Sequence, residues 1–487
     1  MNESRTYRTI QWVLWGLLVV SLPITSLPLI TKLAGGTMVG PAALIPLALL
    51  MLIWWLPYLL KGGALPQQSL PLLAFAGVGL LASLLSLFRT VPPFQDSVVW
   101  RQIAEGVVTL LMGIAFFLIS AAWPTTDKRM RFTLRLLNWS GLIVLTWSII
   151  QGIAWMQTIG WPAWLRYIQH IFSSGTLYKA RITGFAYEPS WLSNQLNMIY
   201  IPIWLAASVR RFTAHRRKVL GISLENVLLL GGVAQLYISK SRLGLLAFLL
   251  CVAYLLFELS LRIAGWLRDR YTNPRARRRA VILFYLGLLV VVAVMLVGTG
   301  VYLTKADPRM EEFFNLETIR EKSFLEYAEE LAFSARIVYW KAGWDIFGQH
   351  PMLGVGLGNA GYYFYDKFDP YAWELIEVRA VMYNFTSPPN IKSLWFRLLA
   401  ETGIAGMACW VVWLLMALLT AIKVRRRQEP MAKVLGLAGI LTLLGLLIEG
   451  FSLDTFALPY FWVTFGLMVA FERFSMADDE PAGESAG

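Results

Sequence analysis

The sequence predicts an all-α, polytopic membrane protein with about twelve transmembrane helices and a large extracytoplasmic loop before the last three. Of its 487 residues, 57% are hydrophobic and only 15% are charged, whereas about a quarter of a soluble domain is charged. Apolar runs of about 20 residues recur along the chain, and each is long enough to cross ~30 Å of hydrocarbon. Too little polar sequence remains to cover a large soluble core.

The apolar runs also predict the domain organisation. Nine spans occupy residues 1–303, an extracytoplasmic loop with interfacial helices follows at 304–398, and three spans occupy 399–472. The polar tail 473–487 is expected to be disordered and cytoplasmic. The predicted spans are 10–31, 41–60, 69–88, 102–122, 136–157, 190–209, 222–238, 242–262, 280–303, 399–422, 433–452 and 456–472.

The distribution of basic residues predicts the topology. Dense basic clusters at 128–135, 210–218, 268–279 and 423–427 fall in alternate loops, and therefore on one side of the membrane. Basic loops stay cytoplasmic, so both termini are predicted to be cytoplasmic. This rule accounts for the net charge of +13 without a nucleic-acid partner.

Charged residues near the outer helix ends need a reason, because they are costly unless paired or hydrated. In "RITGFAYEPSW", Arg181 and Glu188 stand just before an apolar run. An arginine binds phosphate oxygens in a bidentate way, and a carboxylate can orient it or accept a substrate proton. The alternative is an interfacial ion pair that seats the helix.

Further cations occur on the same predicted face. In "SKSRLGLL", Lys240 and Arg242 occupy a tight outer turn, the side on which the positive-inside rule does not expect them. In "SARIVYWKAGWDIF", helical spacing places Arg336 near the start of an interfacial helix. Both segments bind an anion in one interpretation, and reach lipid headgroups from an amphipathic surface in the other.

Two more segments hold candidate acid–base groups. His350 begins the glycine-rich segment "HPMLGVGLGN", and histidine titrates near neutral pH. Lys392 precedes the tenth span and has no obvious local partner, whereas Arg397 and Glu401 lie one helical turn apart and can pair with each other. His350 next to a proline also fits a structural role, and Lys392 also fits an interfacial anchor.

No cluster of His, Cys and Asp has metal-ligand spacing, so neither a metal nor another cofactor is expected. A nucleophile elbow and a Walker loop are also absent from the sequence. An outward-facing, arginine-rich site suits a reaction with an anionic leaving group, for which a lipid diphosphate is the natural candidate.

Four segments in this order carry a resemblance: "RITGFAYEPSWLSNQL", "ISKSRLGLLAF", "HPMLGVGLGN" and "SLWFRLLAETGIAG". With the predicted architecture, they make the chain resemble the bacterial O-antigen ligase and polymerase superfamily, integral-membrane glycosyltransferases of the inverting GT-C kind. The resemblance implies a polyprenyl-diphosphate-linked glycan as donor, undecaprenyl diphosphate in most bacteria. It implies that Arg181 and Arg242 bind the diphosphate, with Arg336 as a third candidate.

The resemblance leaves the catalytic base open among Glu188, Lys392 and His350. Ligase members carry a histidine before a Gly-x-x-Gly pair. Aligning that pair on Gly403 and Gly406 places Lys392 at the histidine position. This departure favours a polymerase that joins repeat units, with a flippase and a chain-length regulator as expected partners. A ligase that transfers finished glycan to lipid A-core or another acceptor, and a glycan transporter, are the alternatives.

Overall fold

The described residues form helices and no strand, apart from isolated bridge pairs, which confirms the all-α prediction. Helix formation satisfies every backbone polar group within one segment, as a lipid environment requires. The computed structural model describes residues 5–33, 38–157, 160–215, 218–271, 273–306 and 333–479.

The helices are numbered in chain order. Helices α3 and α8 each contain a π-helical turn, at Met51–Trp55 and Leu196–Tyr200 respectively. The bounds are α1 Arg5–Ser21, α2 Pro28–Leu33, α3 Leu44–Leu60, α4 Ser69–Ser86, α5 Val99–Ala122, α6 Asp127–Gln157, α7 Ala163–Phe172, α8 189–209, α9 Leu224–Ser239, α10 Arg242–Arg270, α11 Pro274–Ala306, α12 Ser334–Gln349, α13 Ile376–Asn384, α14 Leu394–Arg426, α15 Pro430–Glu449 and α16 Tyr460–Asp479.

Every predicted span overlaps a helix, and seven helices of the described chain are long and apolar enough to cross a membrane. These seven are α4, α5, α6, α10, α11, α14 and α15. The protein is therefore a polytopic helical membrane protein, and the total of about twelve crossings stays a prediction. The first predicted span is not one helix: α1 ends at Ser21, two residues before Pro23, which lacks the N–H that a continuing helix needs.

The predicted loop 304–398 and the predicted tail 473–487 both contain helix. Helices α12 and α13 and two 3₁₀ turns lie within the predicted loop 304–398, of which residues 307–332 lie outside the described residues. We call residues 333–393 the cap. Helix α16 continues to Asp479, into the region predicted as a disordered tail, and residues 480–487 lie outside the described residues.

The buried side chains form two clusters. The larger one fills the bundle and includes Trp413, which packs on Trp462 with ring centroids 5.0 Å apart. The smaller one lies in the cap, where Tyr339, Phe364 and Ile391 are fully buried. The cap therefore has an apolar core of its own, which holds it as a structured unit over the end of the bundle.

A break in α14 joins the cap to the bundle. Gly403 has φ 61° and ψ −165°, and the two N–H groups that follow the break, of Ile404 and Ala405, donate to the carbonyls of Pro351 (2.8 Å) and Met352 (3.2 Å). The glycine-rich segment after His350 thus supplies the acceptors that the interrupted helix lacks. This contact explains why the two motifs of the sequence occur together.

We predict that Gly403→Ala destabilises the protein by about 2 kcal/mol or more, because its backbone conformation is open almost only to glycine and a Cβ would meet the Met352 backbone. Thermal unfolding of purified protein in detergent measures the effect. The matched control is Gly287→Ala in α11, where nothing lies within 4 Å of an added Cβ. Equal melting temperatures for Gly403→Ala and wild type would contradict this account of the break.

Candidate functional site

The loop before α8 and the turn before α10 meet at Arg181. The Arg181 Nε donates to the carbonyl oxygen of Ser239 (2.9 Å), the last residue of α9. Lys240 follows in a left-handed conformation (φ 52°), and α10 begins at Arg242. The structure therefore brings together the two segments that carry Arg181 and Arg242, as the sequence analysis expects of one anion site.

Glu188 lies at the same place, at the N-cap position of α8 with Pro189 as the first helical residue. Its carboxylate accepts hydrogen bonds from the Ser190 hydroxyl and from the Tyr178 hydroxyl (3.5 Å). The Arg181 guanidinium lies 5.9 Å from the centre of the Tyr178 ring, so Tyr178 contacts both charged residues. Burial, together with the Glu188 charge, raises the pKa of Tyr178 to about 12, which keeps its hydroxyl protonated near neutral pH.

Arg336 reaches this end of the bundle from the cap. It lies in the first turn of α12, as predicted, and its Nη1 donates to the carbonyl oxygen of Ser452 (3.1 Å) in the turn that follows α15. Both Arg181 and Arg336 are only partly buried, so their guanidinium groups keep access to a ligand. Arginines from separate parts of the chain thus border one region.

Glu449 links the helices that carry these residues, and the sequence analysis does not assign it to the site. This last residue of α15 is 1% exposed, and its Oε1 accepts hydrogen bonds from Ser193 Oγ (3.2 Å) and Asn197 Nδ2 (2.8 Å) of α8. The same Asn197 amide donates to the Gly244 carbonyl of α10 (2.8 Å). The spacing of Ser193 and Asn197, one turn apart on one helix face, is a sequence feature that indicates this polar contact.

Lys392 has a partner that is distant in sequence. Its Nζ forms an ion pair with Glu377 of α13 and lies 4.8 Å from the Tyr339 ring centre. Its backbone N–H donates to the Asp454 carboxylate (2.9 Å), and burial raises the pKa of Asp454 although neighbouring cations oppose the shift. The partner escaped the sequence analysis because Glu377 lies on a separate helix. An ion-paired ammonium suits charge stabilisation better than proton abstraction.

His350 lies in different surroundings. Its ring packs on Tyr363 at 5.8 Å between centroids, and burial together with the charges of Arg89 and Lys367 lowers its pKa. The described contacts of His350 do not include the arginines of the site. His350 therefore lies among residues of the cap and not among the described contacts of Arg181.

The predicted pair of Arg397 and Glu401 forms, with Arg397 Nε 2.9 Å from the Glu401 carboxylate, and both side chains are buried. Arg397 also donates to the Asp454 carbonyl oxygen (2.5 Å). The pair thus links α14 to the turn before α16, and the two opposite charges compensate each other. Within the described chain, no three His, Cys, Asp or Glu side chains group as a metal site.

The arrangement combines cations that suit phosphate oxygens with a half-exposed carboxylate, Glu188, that suits a hydroxyl proton. Arg181 and Arg242 lie on converging segments, Arg336 approaches from the cap, and Glu449 joins the helices beneath them. Such a set can bind a diphosphate and stabilise its charge as it leaves a transferred group.

Part of the chain matches a family of known proteins. No curated protein sequence matches the chain. The family model described as O-antigen ligase matches residues 227–411, from α9 into α14, a range that includes Arg242, Arg336 and Lys392. Arg181, Glu188 and Glu449 lie outside the matched range. The match supports the resemblance to the O-antigen ligase and polymerase superfamily that the motifs of the sequence carry.

Proposed function

We propose that this protein is a polymerase-type glycosyltransferase that joins polyprenyl-diphosphate-linked oligosaccharide repeat units at the outer face of the bacterial cytoplasmic membrane. The observation that carries the proposal is the convergence of the Arg181 loop on the turn before Arg242, beside a half-exposed carboxylate. Both termini would then be cytoplasmic, and a flippase and a chain-length regulator would be its partners.

The donor diphosphate docks on Arg181 and Arg242, with Arg336 as a further contact from the cap. Guanidinium groups remain charged at all physiological pH values and bind phosphate oxygens through paired N–H groups. As the glycosidic bond breaks, negative charge develops on the leaving diphosphate, and the fixed arginines stabilise it without a metal ion. Their backbone acceptors, Ser239 for Arg181 and Ser452 for Arg336, hold the guanidinium groups in place.

Glu188 is the base that we favour. A hydroxyl of the acceptor sugar attacks the anomeric carbon from the face opposite the diphosphate and passes its proton to the Glu188 carboxylate. Tyr178 and Ser190 orient that carboxylate. Lys392 forms an ion pair with Glu377, and His350 packs within the cap, so both are less suited to this step.

A ligase is the second candidate, because the matching family model is described as O-antigen ligase. A ligase would use the same donor site and the same arginines, and would transfer finished glycan to lipid A-core or another acceptor. Lys392 at the position of the ligase histidine supports the polymerase instead. The transporter alternative expects charges in the middle of the spans, whereas Glu449 stands at a helix end.

The assay that tests the proposal uses purified protein in lipid nanodiscs with a lipid-linked repeat unit and no other acceptor, followed by gel sizing of the products. A ladder of products supports a polymerase. Transfer only after addition of lipid A-core or a peptide acceptor supports a ligase. The absence of turnover with every acceptor would contradict both.

We predict that Arg181→Ala and Arg242→Ala each lower the turnover number about 10²–10³-fold, the effect of removing one group that stabilises transition-state charge. Membrane insertion should be unchanged, which quantitative immunoblotting of membranes checks. The matched control is Arg166→Ala, an exposed arginine of α7 in the same predicted outer loop, which should keep wild-type turnover. Wild-type product lengths in Arg181→Ala would exclude the diphosphate role.

For the base, we predict that Glu188→Gln lowers turnover about 10²–10⁴-fold with little change in donor KM, because it removes proton transfer and keeps the shape of the site. His350→Gln should keep turnover close to wild type. Steady-state kinetics of the transfer reaction measure both. If His350→Gln were inactive and Glu188→Gln active, the base would have to be reassigned to His350.

A further inference from the structure

The cap carries a cleft of about 420 Å³ beside the C-terminal half of α12, whereas Arg336 lies in the first turn of that helix. On α12, the lining residues recur at helical spacing, so they share one face. Residues 366–369, which follow the glycine-rich segment after His350, form the opposite wall. Six residues characterise the lining: Lys341, Trp344, Asp345, Gln349, Lys367 and Asp369.

We propose that this cleft binds the carbohydrate chain of the acceptor, as a subsite separate from the diphosphate site. The first reason is the combination of an exposed aromatic ring with polar side chains. Sugars present apolar C–H faces that stack on aromatic rings and hydroxyl groups that need donors and acceptors. Trp344 is 54% exposed, in spite of its size, and lies in the cleft with Gln349 at its edge.

The charges of the cleft indicate a neutral ligand. Two lysines and three aspartates line it, so its net charge is close to zero and a polyanion such as a diphosphate gains little there. Lys341 Nζ lies 2.9 Å from the Asp369 carboxylate and 3.3 Å from that of Asp345. These fixed ion pairs present spare oxygens and N–H groups to hydroxyls, in charge-assisted hydrogen bonds.

Aromatic side chains extend the surface beyond the cleft. Phe368 lines the cleft and packs on Trp373 with centroids 5.7 Å apart, and Trp373 contacts Tyr365 at 5.1 Å. Tyr365 is 63% exposed. A row of rings of this kind fits an extended chain of sugars better than one small molecule.

The position of the cleft suits an acceptor. Arg336 and Trp344 lie on the same helix, eight residues apart, which corresponds to about 12 Å along the axis. A glycan held at Trp344 can therefore extend one end toward the arginines. This inference rests on the proposed function for its role, although binding of sugars to the cleft can be tested by itself.

The binding test uses the full chain in nanodiscs on an array of neutral bacterial oligosaccharides. Wild-type protein should bind at least one, and Trp344→Ala should weaken that binding about tenfold, the effect of losing one aromatic contact. The matched control is Trp164→Ala, a tryptophan of α7 that is 51% exposed and lies outside the cleft. Absence of binding by wild type, or equal binding by Trp344→Ala, would overturn the proposal.

The transfer assay separates this inference from the proposed function. Trp344→Ala and Asp369→Asn should shorten the products, because a weakly held acceptor glycan dissociates before the next transfer. Wild-type ladders from both variants would refute the acceptor subsite and leave the glycosyltransferase proposal intact. If wild-type protein makes no product, the proposed function fails, and the array result still decides whether the cleft binds sugars.

Discussion

The carboxyl group of Glu449, hydrogen-bonded by Ser193 and Asn197, is the contact on which the site depends. A carboxyl buried at a helix end in a membrane protein is costly unless donors surround it. The donors come from α8, and the same Asn197 amide also binds the Gly244 carbonyl of α10. A side chain at Gly244 would collide with Ser193, so the register of α8, α10 and α15 is set at this point.

The register of these three helices places the charged residues of the site around Glu449. Glu188 lies just before the face of α8 that contacts Glu449, and Arg242 lies just before Gly244 in α10. The turn after α15 then offers the Ser452 carbonyl to Arg336. Residues that are far apart in sequence thus become neighbours. Charges held in fixed positions stabilise a transition state better than mobile water molecules do, and this effect depends on such rigid placement.

The cap and the bundle divide the chemistry between them. The bundle end is cationic around Arg181 and Arg242, whereas the cleft beside Trp344 is close to neutral and partly aromatic. Helix α12 connects the two, with Arg336 at its start and Trp344 two turns later. In the proposed function, a donor and an acceptor of different chemistry would bind at opposite ends of one helix, which the break at Gly403 links to the bundle.

The sequence by itself determined the helical membrane class, because apolar runs of span length allow little else in lipid, and it grouped Arg181, Glu188 and Arg242 through local motifs. The family match supports that class of protein. Only the tertiary structure decided the position of Glu449, the pairing of Lys392 with Glu377 and the separate surroundings of His350. Hydropathy and local spacing report each segment's environment, whereas these contacts depend on the relative register of helices distant in sequence, which no single segment encodes.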